Sequence, residues 1–296
     1  MKQEIETLDV GRIIYDVPLK DYNTYHVGGV GKALVIVENK EALKKLIKEL
    51  NQNNEKWKII GNGSNLIFPD GFYDGILISL EKLNGMEITG TEIYVEAGYS
   101  LAKLSIKAAK ASLTGLEFAG GIPGTIGGAI FMNAGAYKSD MGYLVKEVTY
   151  LDENLEEKVL KNKDCDFHYR TSYFKKHPNC VCLSTKLELK HGVKELIFSV
   201  MEDRRIRRLE SQPLEYPSAG SVFRNPEGDY AGRLIESLGY KGKLYGGAMV
   251  SEKHANFIIN KNNATASDIV GLIEDIQKNV KKKYGVDLKL EQEIVK

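Results

Sequence analysis

The sequence predicts an α+β protein of about two to three domains. Three observations predict it. Strand-like apolar runs alternate with helix-periodic stretches through the first two hundred or so residues; a basic helical segment then leads into a C-terminal part of different texture; and 296 residues leave ample chain for more than one core. Lys and Arg number 41 against 40 Asp and Glu, a formal net charge of +1, which excludes the overall basicity of a nucleic-acid coat or a polybasic membrane binder. No segment approaches the roughly 20 apolar residues of a membrane-spanning helix. The opening MKQEIETLDVGRIIYDV is acidic and lacks the apolar stretch of a secretory signal. Cys165, Cys180 and Cys182 are odd in number and lack metal-ligand spacing, so reduced thiols in a cytoplasmic protein are expected and no metal.

In chain order, ALVIVEN (Ala33–Asn39) is a strand, KEALKKLIKEL (Lys40–Leu50) an amphipathic helix and WKII (Trp57–Ile60) a strand, a βαβ unit with a parallel pair. GILISL, MEITGTEIYVEAG and a helix around Ser100–Leu113 predict a second, mixed layer. KEVTYLDENLEEKVL reads as a hairpin turning at Asp152-Glu153-Asn154. VKELIFSVMEDRRIRRLESQP predicts a connector helix stopped near Pro213. Beyond it come the loop PSAGSVFRNPEGD, a short helix near Tyr230–Leu238 and strands at GGAMV and NFIIN. A long helix over Ala266–Tyr284 has Ile269, Leu272, Ile273 and Ile276 on one face, and a last strand lies in LKLEQEIVK.

Glycine clusters in HVGGVGK, GNGSN and AGGIPGTIGGAIFMNAGAY. Free N–H groups in such turns form a concavity for anions. GNGSNL lacks the third glycine of a Rossmann fingerprint, and HVGGVGKA lacks the upstream glycine and the Ser or Thr of a Walker loop. Two polar glycine loops from another frame suit a pyrophosphate; tight turns and close packing are the alternative reading.

The motifs NTYHVGG, GNGSNLI, AGGIPGTIGGAIFMNAGAY, HYRTSYFK, PSAGSVFRNP, GGAMVSEKHANFIIN and LEQE, in that order from about Tyr22 to Glu293, resemble the UDP-N-acetylenolpyruvoylglucosamine reductase (MurB) family. The resemblance implies a two-subdomain FAD-binding fold of the vanillyl-alcohol-oxidase (PCMH) type, with subdomains at 1–80 and 81–200. A C-terminal α+β substrate domain at 201–287 follows, and a last strand at 288–296 returns to the first subdomain. It implies FAD and NADPH as cofactors and reduction, in the cytoplasm, of an enolpyruvyl ether on a UDP-sugar for peptidoglycan precursors. The expected partner is that small-molecule substrate, with no nucleic acid and no membrane, and the protein is expected to be monomeric. An FAD-dependent alcohol or sugar oxidase of the same fold is the alternative. The flavin residues implied are Gly61, Asn62, Gly63, Ser64 and Asn65 of one loop and Gly121, Ile122, Pro123, Thr125, Gly128, Asn133 and Gly135 of the other.

The same resemblance gives roles to three residues. Hydride addition to an alkene conjugated with a carboxylate drives charge onto that carboxylate. Arg170 would bind it with two directed donors. Glu293 would share it, with the raised pKa expected of two close carboxylates, and Ser221 would protonate the adjacent carbon. Strand periodicity does not choose between Glu291 and Glu293; the motif makes the choice. Ala219-Gly220-Ser221-Val222-Phe223 is no hydrolase elbow. Arg204, Arg207 and Arg208 share a helix face, so Arg204 and Arg208 are candidates for the UDP phosphates or members of a solvated face. Asn225 matches a substrate contact, and Arg224 stands where the family has Lys. His254 is expected to be a hydrogen-bonded structural histidine. The short tract between Arg170 and Ser221 identifies the subtype without the tyrosine-bearing insert.

Overall fold

The structure, a computed structural model, describes residues 2–296. It divides into two compact units. One comprises Met1–Tyr15, Ala33–Gly61 and Gly75–Arg205; the other comprises Asp16–Lys32, Asn62–Asp74 and Ile206–Lys296. Each has its own apolar core.

The first unit is built on two larger sheets, with two short two-stranded ribbons beside them. In one, the strands run in the order Gly11–Pro18, Val30–Val37, Tyr73–Ser79, Trp57–Ile60. The expected strand, helix and strand are all present, with the helix at Lys40–Gln52 capped by the Asn39 side chain and burying Leu43, Leu46, Ile47 and Leu50. The expected pairing is corrected, however. Trp57–Ile60 pairs in parallel with Tyr73–Ser79, which lies between it and Val30–Val37. The reason is visible in Gly75–Ser79, where five consecutive residues are buried. A run covered on both faces belongs in the middle of a sheet, and no local pattern tells the chain to return there.

The second sheet has five antiparallel strands, ordered Glu157–Lys161, Val145–Leu151, Val181–Glu188, Glu92–Glu96, Met86–Thr89. The hairpin expected at Asp152-Glu153-Asn154 joins its first two strands, with Leu151 opposite Glu157. The Asp152 side chain holds that turn by accepting from the amides of Asn154 and Glu156, each at 2.9 Å. Helices Leu101–Lys110 and Ile126–Met132 contribute Leu101, Leu104, Ala108, Ile126, Ala129 and Ile130 to the core, together with Ile93, Val95, Leu183 and Leu187 from the sheet. All three cysteines are buried as free thiols. Burial pushes the Cys165 thiol up to about 12 and the Cys182 thiol higher still.

The second unit is organised around the helix Ala266–Tyr284. A Thr265–Asp268 capping box starts it and Gly285, at φ +71°, ends it. Its apolar stripe, Ile269, Leu272, Ile273, Ile276 and Val280, is buried as the periodicity requires. The sheet beside it has three short antiparallel strands, Leu244–Tyr245, Ala248–Val250 and Ile258–Asn260. The final strand shrinks to Glu293–Ile294, which pairs in parallel with Leu66–Ile67. The connector helix, Lys194–Ser211, passes from one unit into the other. Between Arg170 and Ser221 the described residues hold only the short helix Tyr173–Lys176, strands Val181–Glu188 and Lys190–His191 and this connector, so no inserted tyrosine segment is present there. Among the described residues, no helix is long and apolar enough to cross a membrane.

Candidate active site

The two glycine loops meet in the first unit. Strand Trp57–Ile60 delivers Gly61, and a Cβ built there would lie 2.6 Å from the Thr125 hydroxyl oxygen, so only glycine lets the loops approach this closely. Thr125 caps helix Ile126–Met132, its hydroxyl accepting from the Gly128 amide at 3.4 Å. The second loop is held from below. The Leu101 amide donates to Gly124 at 2.9 Å, Ile126 to Tyr99 at 2.9 Å and Gly127 to Ala97 at 2.8 Å. Held this way, Gly121, Pro123 and Gly128 are solvent-facing while Ile122 and Thr125 are half-buried. A Cβ at Gly124 would meet nothing within 4 Å. An open, glycine-rich stretch of loop backbone fits the pyrophosphate of a flavin dinucleotide.

The remainder of GNGSN belongs to the second unit. Gly63, at φ +62°, leaves no room for a side chain against the Tyr22 carbonyl. The Asn65 carboxamide donates to the Glu291 carbonyl at 3.1 Å, and the Asn65 carbonyl accepts from the Glu293 amide at 2.9 Å. Asn62 is exposed and Ser64 half-buried.

Asn133 and Gly135 also hold Arg170 in place. Asn133, left-handed at φ +43°, donates to the His168 carbonyl at 3.0 Å and accepts from the Gly142 amide at 2.9 Å. The Gly135 carbonyl accepts from the Arg170 guanidinium at 2.9 Å. His168 and Thr171 exchange backbone hydrogen bonds of 3.1 Å around the Arg170 turn, and the buried Ser172 hydroxyl donates to Phe131 at 2.8 Å. Arg170 itself is left-handed at φ +57°. A non-glycine residue held there costs about 1–3 kcal/mol and persists where its surroundings over-determine it. The guanidinium lies 5.2 Å from the Tyr169 ring centroid. Arg204 stacks over Tyr137 at 4.9 Å while the Tyr137 hydroxyl donates to the Arg204 carbonyl at 3.1 Å. Arg208 lies four residues further along the connector helix, half-buried and within the second unit.

In the second unit, the segment just after Ser221 is paired with the segment just before Glu293. Val222–Arg224 runs antiparallel to Lys289–Glu291: Glu291 donates to Val222 and Arg224 to Lys289, each at 2.9 Å, and Phe223 bridges Leu290. Ser221 is half-exposed, and its hydroxyl takes no hydrogen bond with any described residue. Glu293 is half-buried, and its charge adds to burial in raising the Tyr73 phenol. Arg224 keeps a buried Nε without a hydrogen-bond partner. Asn225 is exposed and its side chain accepts from the Ala231 amide at 3.1 Å. His254 packs on Phe257 and accepts the Asn256 amide at Nδ1, 3.2 Å away, while burial holds its pKa below the usual value.

Sequence reasoning missed three buried polar residues that hold this unit. Asn256 accepts from the Phe223 amide at 3.0 Å and donates to its carbonyl at 2.8 Å. Gln292 donates to the carbonyls of Ala219 and Gly220, and the fully buried Tyr25 hydroxyl donates to Gln292 at 3.0 Å. All three lie inside the ordered motifs, but burial and partner are not written in a motif.

Comparison with known proteins identifies the family. Residues 31–154 match the FAD binding domain family and residues 212–295 match the C-terminal domain of UDP-N-acetylenolpyruvoylglucosamine reductase. The chain is 43% identical over its whole length to the UDP-N-acetylenolpyruvoylglucosamine reductase of Anoxybacillus flavithermus, covering 98% of that protein. The crystal structure of UDP-N-acetylenolpyruvylglucosamine reductase (MurB) from Thermus caldophilus superposes with TM-score 0.82 at 34% identity, over 96% of this chain and 98% of that one. A variant of Physcomitrella patens BBE-like 1 shares the fold alone, at TM-score 0.50 and 18% identity over 65% of this chain and 44% of that one. The fold is therefore the α+β FAD-binding frame with a C-terminal α+β domain, and the chain belongs to the UDP-N-acetylenolpyruvoylglucosamine reductase family.

Proposed function

We propose that this chain reduces the enolpyruvyl ether of UDP-N-acetylglucosamine enolpyruvate to the lactyl ether of UDP-N-acetylmuramate, with NADPH as reductant, in peptidoglycan precursor synthesis. The observation that carries the reading is the full-length match to enzymes of that name, at 43% identity. The oxidase alternative has only a likeness of fold. The first two hundred residues would hold FAD and 201–287 the sugar nucleotide, with the reaction in the cytoplasm and the protein a monomer.

The Gly61 and Gly121–Gly128 loops would hold FAD, which when bound would supply the hydride that it takes from NADPH. The protein itself must manage the charge that hydride addition creates. The substrate gains hydride at its terminal alkene carbon, and the electron pair of that double bond moves toward the carboxylate until a proton reaches the neighbouring carbon. Arg170, fixed by Gly135 and Asn133, pairs with the carboxylate and binds the developing charge more strongly than the starting one. The family motif also assigns Glu293 to that carboxylate. The Ser221 hydroxyl, unengaged within the chain, donates the proton to carbon. Arg204, Arg208, Arg224 and Asn225 hold the nucleotide.

Anaerobic addition of NADPH to the flavin-loaded protein should bleach the flavin, and subsequent enolpyruvyl UDP-sugar should restore its absorbance. Ser221→Ala should keep the first step and lose the second. Restoration by oxygen or an alcohol instead of the sugar nucleotide would overturn the reading.

A further inference from the structure

We propose that Gln292 is a positioning residue for Ser221, a role that rests on the reading of Ser221 as proton donor. Gln292 is buried, 4% exposed. Its amide nitrogen donates to the Ala219 carbonyl at 3.1 Å and to the Gly220 carbonyl at 3.2 Å, the two peptide groups immediately before Ser221. Carbonyls only accept, so the amide orientation is forced, and its oxygen is left for the Tyr25 hydroxyl at 3.0 Å. Tyr25 is in turn anchored at its own carbonyl by the Asn260 side chain, at 2.9 Å.

This clamp grips the least self-supporting part of the segment. Gly220 is left-handed at φ +72°, and a Cβ there would touch nothing within 4 Å. Side-chain packing at Gly220 therefore does not help fix the peptide that aims Ser221. On the far side, Asn256 pins Phe223 through both its amide and its carbonyl. Ser221 is thus held between two buried carboxamides, with its own hydroxyl unengaged, as a directed proton donor requires. Gln292 also precedes Glu293, whose amide is tied to Asn65 at 2.9 Å. One dipeptide therefore sets both the serine turn and the backbone of the acid.

The test uses flavin-loaded full-length protein. Gln292→Glu keeps the acceptor for Tyr25 but loses the donors to the two carbonyls; Gln292→Asn keeps the chemistry and withdraws it by one methylene. Each is expected to leave flavin reduction by NADPH within about twofold of the parent. Each should slow flavin reoxidation by the enolpyruvyl UDP-sugar about ten- to hundredfold, the scale of a roughly 1 Å misplacement, with an enlarged solvent deuterium isotope effect on that step alone. Parental rates and isotope effects in both variants would overturn the proposal. So would equal losses in both half-reactions, or failure of both variants to fold and hold flavin, each of which assigns Gln292 to stability. Ser221→Ala, run alongside, separates the two ideas. If it retains substrate reduction, the reading of Ser221 fails; if it loses substrate reduction while the Gln292 variants do not, only the clamp fails.

Discussion

Gly61 and Thr125, 64 positions apart, face each other so closely that a methyl group on Gly61 would sit 2.6 Å from the Thr125 hydroxyl. The two glycine loops are therefore one structural feature, and their close approach depends on a residue with no side chain.

Gly61→Ala is expected to cost about 1–3 kcal/mol through overpacking and to lower the flavin retained after purification. Combining it with Thr125→Ala removes the clashing oxygen and should recover part of the melting temperature. The flavin-to-protein absorbance ratio and a thermal melt check both; a single variant with parental flavin content and melting point would show that the loops can separate freely.

Arg170→Lys keeps a positive charge but loses the fork that bonds the Gly135 carbonyl and that the proposed reaction needs for the substrate carboxylate. Reduction of the enolpyruvyl substrate should fall by about 3–4 kcal/mol of barrier, the usual scale for a lost preorganised donor, while flavin reduction by NADPH continues. Single-turnover measurements of the two half-reactions decide it; equal rates for parent and variant would remove Arg170 from the chemistry.

His254 gives the fold a pH dependence of known sign. Burial depresses its pKa, and its Nδ1 accepts a backbone N–H that an imidazolium cannot accept. The unfolded chain therefore binds the proton first. This contribution is fully present above the ordinary histidine value of about 6.5 and is lost as pH falls through the lower folded value. Melting temperature should drop more steeply below pH 6.5 in the parent than in His254→Gln. Parallel curves would mean that His254 titrates normally.

The thiols should be silent in the native state. Cys165, Cys180 and Cys182 are all raised by burial above the ordinary thiol value, so the reactive thiolate is scarce at neutral pH. An aromatic disulfide reagent should titrate none of them on a time scale of minutes, and all of them in denaturant. Rapid native reaction of one thiol would show that its burial is transient.

Much of the secondary structure was local and therefore readable. The helices Lys40–Gln52 and Ala266–Tyr284 announce themselves by apolar spacing and by their caps, Asn39 and Thr265. The hairpin at Asp152 announces itself by turn chemistry. Sheet order was not readable, because a strand buried on both faces, such as Tyr73–Ser79, carries no sign of its neighbours.

By itself, then, the sequence determined periodicity, caps, turns and the ordered motifs that identify the family, all carried by residues close together in the chain. Only the tertiary structure decided that Gly61 presses on Thr125, that Asn133 and Gly135 brace a left-handed Arg170, and that Gln292 spans from Tyr25, 267 positions away, to the turn before Ser221. Those contacts arise because a buried donor or acceptor must find a partner wherever the folded chain brings one, and separation along the sequence places no limit on where that is.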